Sequence, residues 1–142
     1  MKQKQVLILC TGNSCRSLMA EAIINHFLPG QWHARSAGTQ PSGYVHPLAV
    51  KALEEIAIHH HGESKSTDSF IGENFDLVIT VCDAAAENCP VWLGRGNRVH
   101  IGFPDPAMAD GDEEAKMAVF RSVRDAIKDR ILNYLQVINF DG

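Results

Sequence analysis

A stretch of eight residues near the N-terminus, CTGNSCRS at positions 10–17, brings a thiol, a guanidinium and several hydroxyl groups together. It follows the apolar run VLIL at 6–9, which is typical of a strand buried on both faces, and leads into residues 17–27, whose apolar side chains recur at helical spacing. A loop from a strand end to a helix N-terminus turns backbone N–H groups toward one point, and the helix dipole favours an anion there. The stretch therefore predicts an anion-binding site.

The side chains of this stretch indicate which anion it binds. Gly12 and Asn13 favour a tight turn, because both residue types tolerate positive φ. Arg16 supplies a planar fork that matches two oxygens of a tetrahedral oxyanion. Cys10 would be held as a thiolate, with Ser17 close enough in sequence to donate a hydrogen bond to its sulfur, which predicts nucleophilic attack on phosphorus or arsenic. The predicted oxyanion-binding residues, here named the cradle loop, are Thr11, Gly12, Asn13, Ser14, Cys15 and Arg16.

The remaining sequence predicts an α/β fold that would position these groups. Strands are predicted at 6–9, 33–37, 75–81 and 98–102, and helices at 17–27, 47–57 and 113–137. Such alternation indicates a three-layer fold, with a four-stranded parallel sheet and helices on both faces. Ligands of such sheets bind beyond the carboxyl ends of the strands. Cys10 and Cys82 lie at two of these ends, and Asp105 follows the fourth predicted strand.

Composition limits the possible functions. The 142 residues, of which 45% are hydrophobic, suffice for one core, so a single domain over 1–142 is expected. A net charge of -4 without a basic run argues against nucleic-acid binding. No apolar run is long enough to span a membrane or to form a signal peptide, so a cytoplasmic protein that does not bind membranes is expected. A monomer is also expected. The charged residues of 113–137, Arg130 among them, are interpreted as a solvated helix face.

The four cysteines are too few for a secreted disulfide scaffold, and their spacing does not suit zinc. Four residues separate Cys10 from Cys15 and six separate Cys82 from Cys89, whereas structural zinc sites generally have two to four between paired ligands. The histidine run at 59–61 is also discounted, because adjacent side chains point in different directions. We therefore predict no bound metal and no bound cofactor, and we expect Cys15 to contribute its N–H rather than its sulfur.

The arrangement of Cys10, five intervening residues, Arg16 and Ser17 resembles the loop of the low-molecular-weight tyrosine phosphatase family. Asp105 and Pro106 are similar to the general-acid motif of that family, and the resemblance extends over essentially the whole chain, including SAGT at 36–39. It implies a flavodoxin-like fold of the low-molecular-weight phosphatase type, with Cys10 as nucleophile and Asp105 as general acid.

The segment CDAAAENCP at 82–90 resembles a branch of this superfamily, the thioredoxin-coupled arsenate reductases, which add a second pair of cysteines to the phosphatase loop. The resemblance implies that Cys10 attacks arsenate, that Cys82 then attacks Cys10 and releases arsenite, and that Cys89 leaves a Cys82–Cys89 disulfide. Thioredoxin would reduce that disulfide, although a glutaredoxin-type reductant stays open. Phosphate and sulfate would compete with arsenate for the cradle loop.

Two other functions stay open at this stage. A tyrosine phosphatase would use the second cysteine pair as a redox safety catch, but it calls for an aromatic residue after Asp105, and none occurs before Phe120. A thiol-based sensor or arsenite-binding module would use the cysteines only as ligands, and would leave Arg16 and Asp105 without a role.

A cation site behind the cradle loop is also implied by the resemblance. Some relatives hold potassium with the residues that correspond to Asn13 and Glu21. Lys65 lies in the region that would complete such a site, and its ammonium group could take the place of the cation.

Overall fold

The computed structural model describes residues 3–59, 62–70, 72–83 and 95–138. Strands and helices alternate along the chain. The strands are β1 (Lys4–Cys10), β2 (Trp32–Gly38), β3 (Asn74–Thr80) and β4 (Arg95–His100); the helices are α1 (Arg16–Phe27), α2 (Pro47–Glu54) and α3 (Glu113–Val137); and Thr67–Phe70 and Pro106–Met108 form 3-10 helices. Within the described ranges, no helix has both the length and the apolarity needed to cross a membrane.

The four strands form one parallel sheet in the order β2-β1-β3-β4, which confirms the predicted fold class. Side chains of β1 are buried on both faces of this sheet, as its continuous apolar run predicts. Val6 and Ile8 pack in a core with all three α-helices, whereas Leu7 and Leu9 pack on the opposite face with Phe70 of the first 3-10 helix.

The strand order reverses between β1 and β3, and this switch point fixes where a ligand can bind. The chain passes from β1 to β2 on one side and from β3 to β4 on the other, so a crevice opens where the two connections diverge. Leu9 pairs with Thr80 in the register of β1 and β3. Cys10, the last residue of β1, and Cys82, just beyond β3, therefore lie at the same end of the sheet.

The fourth strand and the second helix differ most from their predicted boundaries. The fourth strand spans Arg95–His100 instead of 98–102. Beyond its end the chain still donates hydrogen bonds from Ile101 to Thr80 and from Phe103 to Val81, but without regular strand structure. The second helix ends at Glu54 rather than at position 57.

A turn with a left-handed residue explains the early end of α2. Ala57 has a φ of 64°, its N–H bonds to the Glu54 carbonyl, and the N–H of Ile58 reaches back to the Leu53 carbonyl. This is the Schellman arrangement, in which glycine is the usual left-handed residue because it has no Cβ. Because an alanine does not indicate such a turn, the spacing of apolar residues predicted a helix that continues to position 57.

We expect Ala57→Gly to stabilise the protein by about 1 kcal/mol, because glycine removes the steric cost of the left-handed conformation. Urea unfolding would measure the change. Ala118→Gly is the matched control, since Ala118 is exposed within α3 and its loss should cost about 1 kcal/mol of helix propensity. A destabilisation by both variants would contradict the proposed turn.

Candidate active site

The cradle loop connects β1 to α1 and takes its shape from Asn13. Asn13 lies in the left-handed region with a φ of 47°, whereas Gly12 does not. Its side chain stabilises this conformation from both ends, since Nδ2 donates to Ser17 Oγ at 2.8 Å and Oδ1 accepts from the backbone N–H of Lys65 at 2.6 Å. Asparagine, rather than the adjacent glycine, therefore makes the turn.

Cys10 sits at the base of this loop and is only 2% exposed. Its sulfur lies 2.8 Å from Ser17 Oγ and accepts a hydrogen bond from the N–H of Asn13 at 3.2 Å. Two hydrogen-bonding groups thus fix the position of the sulfur at the base of the cradle loop, where a thiol side chain can serve as a nucleophile.

Arg16 begins α1 and is 4% exposed, so its charge depends on nearby acceptors. Its Nη1 donates to the Phe103 carbonyl at 3.2 Å, and its Nη2 lies 3.7 Å from Asp105 Oδ2. The other oxygen of Asp105 accepts from the N–H of Ala107 at 3.0 Å and caps the second 3-10 helix. The side chain of Asp105 is 29% exposed, which lets it exchange a proton with a bound substrate or with water.

These groups open into a cavity of about 590 Å³. Its walls are the cradle loop with Cys10, Asp83, Pro104, Asp105 and Met108. None of the described residues that line it has an aromatic ring. The described walls of the cavity therefore suit a small tetrahedral anion and offer no ring surface to an aryl group.

The cysteines are in different chemical states. Cys10 and Cys15 are free, whereas Cys82 is fully buried and bonded in a disulfide. Cys89 lies outside the described residues. Burial raises the pKa of the Cys15 thiol to about 12. Cys15 is therefore a neutral thiol at physiological pH, and its role as a backbone donor stays a prediction.

The segment after β2 supports the cradle loop, which the sequence analysis did not anticipate. A Cβ at Gly38 would collide with the Thr11 carbonyl oxygen and lie 3.0 Å from the Asn13 nitrogen, so glycine is required there for close approach. Backbone N–H groups of 40–46 donate to cradle-loop carbonyls. The pairs are Gln40 to Thr11, Ser42 to Gly12 and His46 to Ser14. The only sequence signal was SAGT at 36–39, which indicated the family but not this contact.

A second buried group, Glu21, lies behind the cradle loop. Its Oε1 accepts a hydrogen bond from Ser36 Oγ at 3.2 Å and lies 3.9 Å from Lys65 Nζ. Burial raises the pKa of Glu21, and the nearby ammonium of Lys65 opposes that rise. The ammonium of Lys65 thus lies beside Glu21, where the sequence analysis considered it as a substitute for potassium.

Residues 5–141 match the family described as low molecular weight phosphotyrosine protein phosphatase, and the chain belongs to that family, as predicted. An arsenate reductase of Halalkalibacterium halodurans is 45% identical over 137 residues, which cover 96% of this chain and 98% of that protein. Among solved structures, an arsenate reductase from Archaeoglobus fulgidus superposes with a TM-score of 0.78 at 27% identity, covering 92% of this chain and 98% of the other. A thioredoxin-dependent arsenate reductase of Corynebacterium glutamicum gives a TM-score of 0.64 at 25% identity, with coverages of 95% and 63%.

We expect Gly38→Ala to weaken phosphate binding about tenfold or more, because the added Cβ must displace the Thr11 carbonyl, and overpacking of this kind costs about 1–3 kcal/mol. Millimolar phosphate should raise the melting temperature of the unmodified protein and raise that of the variant less. Gly30→Ala is the control, because nothing lies within 4 Å of a Cβ at that position. Equal phosphate stabilisation of both variants would contradict the role of Gly38.

We expect Cys15 to resist alkylation by iodoacetamide at pH 8, because a thiol with a pKa of about 12 is almost fully protonated there. Mass spectrometry of the digested protein would quantify the modification of each cysteine. The same treatment in urea should label Cys15 readily, since unfolding restores its ordinary pKa. Fast labelling of Cys15 in the folded protein would show that its sulfur is available for chemistry.

Proposed function

We propose that the protein is an arsenate reductase that converts arsenate to arsenite through a relay of cysteine thiols. One observation carries the proposal: a free Cys10 within an anion cradle and a disulfide-bonded Cys82 lie at the ends of neighbouring strands. Hydrolysis of a phosphate ester needs only the first thiol, whereas a two-electron reduction needs a second. The similarity to the Halalkalibacterium halodurans arsenate reductase supports the same activity.

The first step is attack by the Cys10 thiolate on arsenic. Arg16 and the backbone N–H groups of the cradle loop hold the arsenate oxygens, and Ser17 stabilises the thiolate before it reacts. A sulfur–arsenic bond forms and an arsenic–oxygen bond breaks. Asp105 protonates the departing oxygen, which leaves as water.

The electrons are transferred in the second step. The Cys82 thiolate attacks the sulfur of Cys10, the electron pair of the sulfur–arsenic bond stays on arsenic, and arsenite leaves. Cys89 then attacks Cys82, which releases Cys10 as a thiolate and leaves a Cys82–Cys89 disulfide. Two thiols become one disulfide while arsenic gains two electrons, so the step balances. A free Cys10 together with an oxidised Cys82 is the state expected after the relay.

Thioredoxin is the proposed external reductant, and no bound metal or cofactor takes part. The similarity to the thioredoxin-dependent Corynebacterium glutamicum enzyme supports this choice. A glutaredoxin-type protein would perform the same exchange chemistry. We also propose that the protein acts as a monomer in a reducing compartment such as the cytoplasm.

Hydrolysis of phosphate esters is the second candidate, because the chain belongs to a phosphatase family and Cys10, Arg16 and Asp105 suffice for that reaction. The cavity argues against an efficient tyrosine phosphatase, since no described residue that lines it is aromatic. A sensor without catalytic activity is the weakest candidate, because it leaves the contact between Arg16 and Asp105 without a purpose.

We expect fully reduced protein, mixed with arsenate and no external reductant, to release one arsenite per chain. The product would be quantified and the cysteines mapped by mass spectrometry, with a Cys82–Cys89 disulfide as the expected end state. Protein with its thiols alkylated beforehand is the control and should release none. No arsenite and four free thiols, with rapid hydrolysis of an aryl phosphate, would instead indicate a phosphatase.

The variant Cys89→Ser separates the two thiol exchanges of this experiment. It should release one arsenite and then stop as a Cys10–Cys82 disulfide, because no thiol remains to attack Cys82. Added thioredoxin and its reductase should not restore the normal rate. Repeated turnover at that rate would overturn the proposed order of the relay.

A further inference from the structure

The segment 101–105, here named the acid segment, connects β4 to the second 3-10 helix and places both charged groups of the site. It carries Asp105 itself, and its Phe103 carbonyl accepts the hydrogen bond from Arg16 Nη1 at 3.2 Å. A shift of this segment would therefore move the acid and the guanidinium together.

Gly102 allows the acid segment to pack closely against its neighbours and also makes its backbone easier to rotate. A Cβ at Gly102 would lie 2.9 Å from the Cys82 carbonyl oxygen and 2.8 Å from His100 Nε2, so a larger residue does not fit. Glycine also rotates more freely about its backbone bonds than other residues. The close approach to Cys82 requires a glycine at position 102, and the glycine leaves the peptide between Gly102 and Phe103 free to rotate unless another contact holds it.

Arg130 of α3 supplies that restraint. Its Nη1 donates to the Gly102 carbonyl at 2.9 Å, and its guanidinium lies 4.8 Å from the centroid of the Phe103 ring, which is 2% exposed. The N–H of the same peptide donates to the Val81 carbonyl at 3.1 Å. The peptide plane is thus held at both of its polar groups.

The next peptide unit depends on this orientation. Its nitrogen belongs to Pro104, which has no N–H, so the Phe103 carbonyl is its only hydrogen-bonding group. That carbonyl is the one that holds Arg16. The orientation fixed by Arg130 therefore reaches Arg16 through one covalently linked peptide.

We infer that Arg130 is a positioning residue for the anion site, which acts through the Gly102–Phe103 peptide on Arg16 and Asp105. It does not line the cavity. The inference deepens the proposed function, but its main test uses inorganic phosphate and does not depend on arsenate reduction. The interpretation of this arginine as part of a solvated helix face overlooked these contacts.

Calorimetric titration of reduced protein with phosphate tests the inference. We expect Arg130→Ala to weaken phosphate binding about three- to tenfold, the range that corresponds to the net contribution of a typical hydrogen bond, because the lost bond acts on the site only through the Gly102–Phe103 peptide. Arg130→Lys should recover part of this loss, because an ammonium can donate to the Gly102 carbonyl but cannot stack as a planar group. Arg121→Ala is the matched control: Arg121 lies on the same helix and pairs with Glu55 at 2.9 Å, away from the cavity, so binding should not change.

A double-mutant cycle separates positioning from a general loss of structure. In an Arg16→Lys background, where the bond to the Phe103 carbonyl is altered, Arg130→Ala should have little further effect on phosphate binding. The inference would be overturned if Arg130→Ala weakened phosphate binding equally in the unmodified and the Arg16→Lys backgrounds. It would also be overturned if Arg130→Ala bound phosphate as tightly as the unmodified protein, or if Arg121→Ala weakened binding as much as Arg130→Ala does. Melting curves would establish that each variant is folded. Should Arg130→Ala fail to fold, Arg130→Lys carries the same comparisons with a smaller expected loss.

Single-turnover arsenite release provides a second readout. Arg130→Ala should slow it at least as much as it weakens phosphate binding, because Asp105 is displaced as well. If the unmodified protein releases no arsenite, the proposed function fails, while the phosphate titrations still decide the role of Arg130.

Discussion

The arrangement of the site depends on one buried charge, the guanidinium of Arg16. A buried cation costs several kcal/mol unless acceptors surround it, so the fold must bring them to the start of α1. The Phe103 carbonyl and the Asp105 carboxylate meet this need from a segment almost ninety residues further along the chain. The same contacts that stabilise the charge also place the Asp105 carboxyl group in the wall of the cavity.

This constraint connects anion binding with redox chemistry. The acid segment can reach Arg16 only by passing close to the end of β3, where Gly102 packs against the Cys82 carbonyl. Cys82 and the anion-binding groups are therefore neighbours as a consequence of the strand order, which puts β1 beside β3. A phosphatase fold with this topology gains a reductive relay by adding cysteines where the two central strands end.

The elements of the fold were largely predictable because their signals are local. Strand patterns located all four strands, including the one predicted at 33–37, which the structure extends to Trp32–Gly38. The predicted boundaries were wrong where the backbone departs from regular geometry at a residue type that does not usually mark such a departure. Ala57 ends α2 in a conformation that sequence patterns assign to glycine, and the end of β4 depends on packing against residues that follow β3.

The sequence alone determined the nucleophile, its hydroxyl partner and its guanidinium, because these groups occupy the single stretch 10–17, where local backbone geometry brings them together. It placed Cys82 and Asp105 only near the ends of predicted strands and assigned their roles only through the resemblance, since nothing in their spacing states that distant segments meet. Only the tertiary structure gave Gly38 and Arg130 their roles. Both act through contacts with backbone groups far away in sequence, and such contacts exist only once the sheet and α3 have packed.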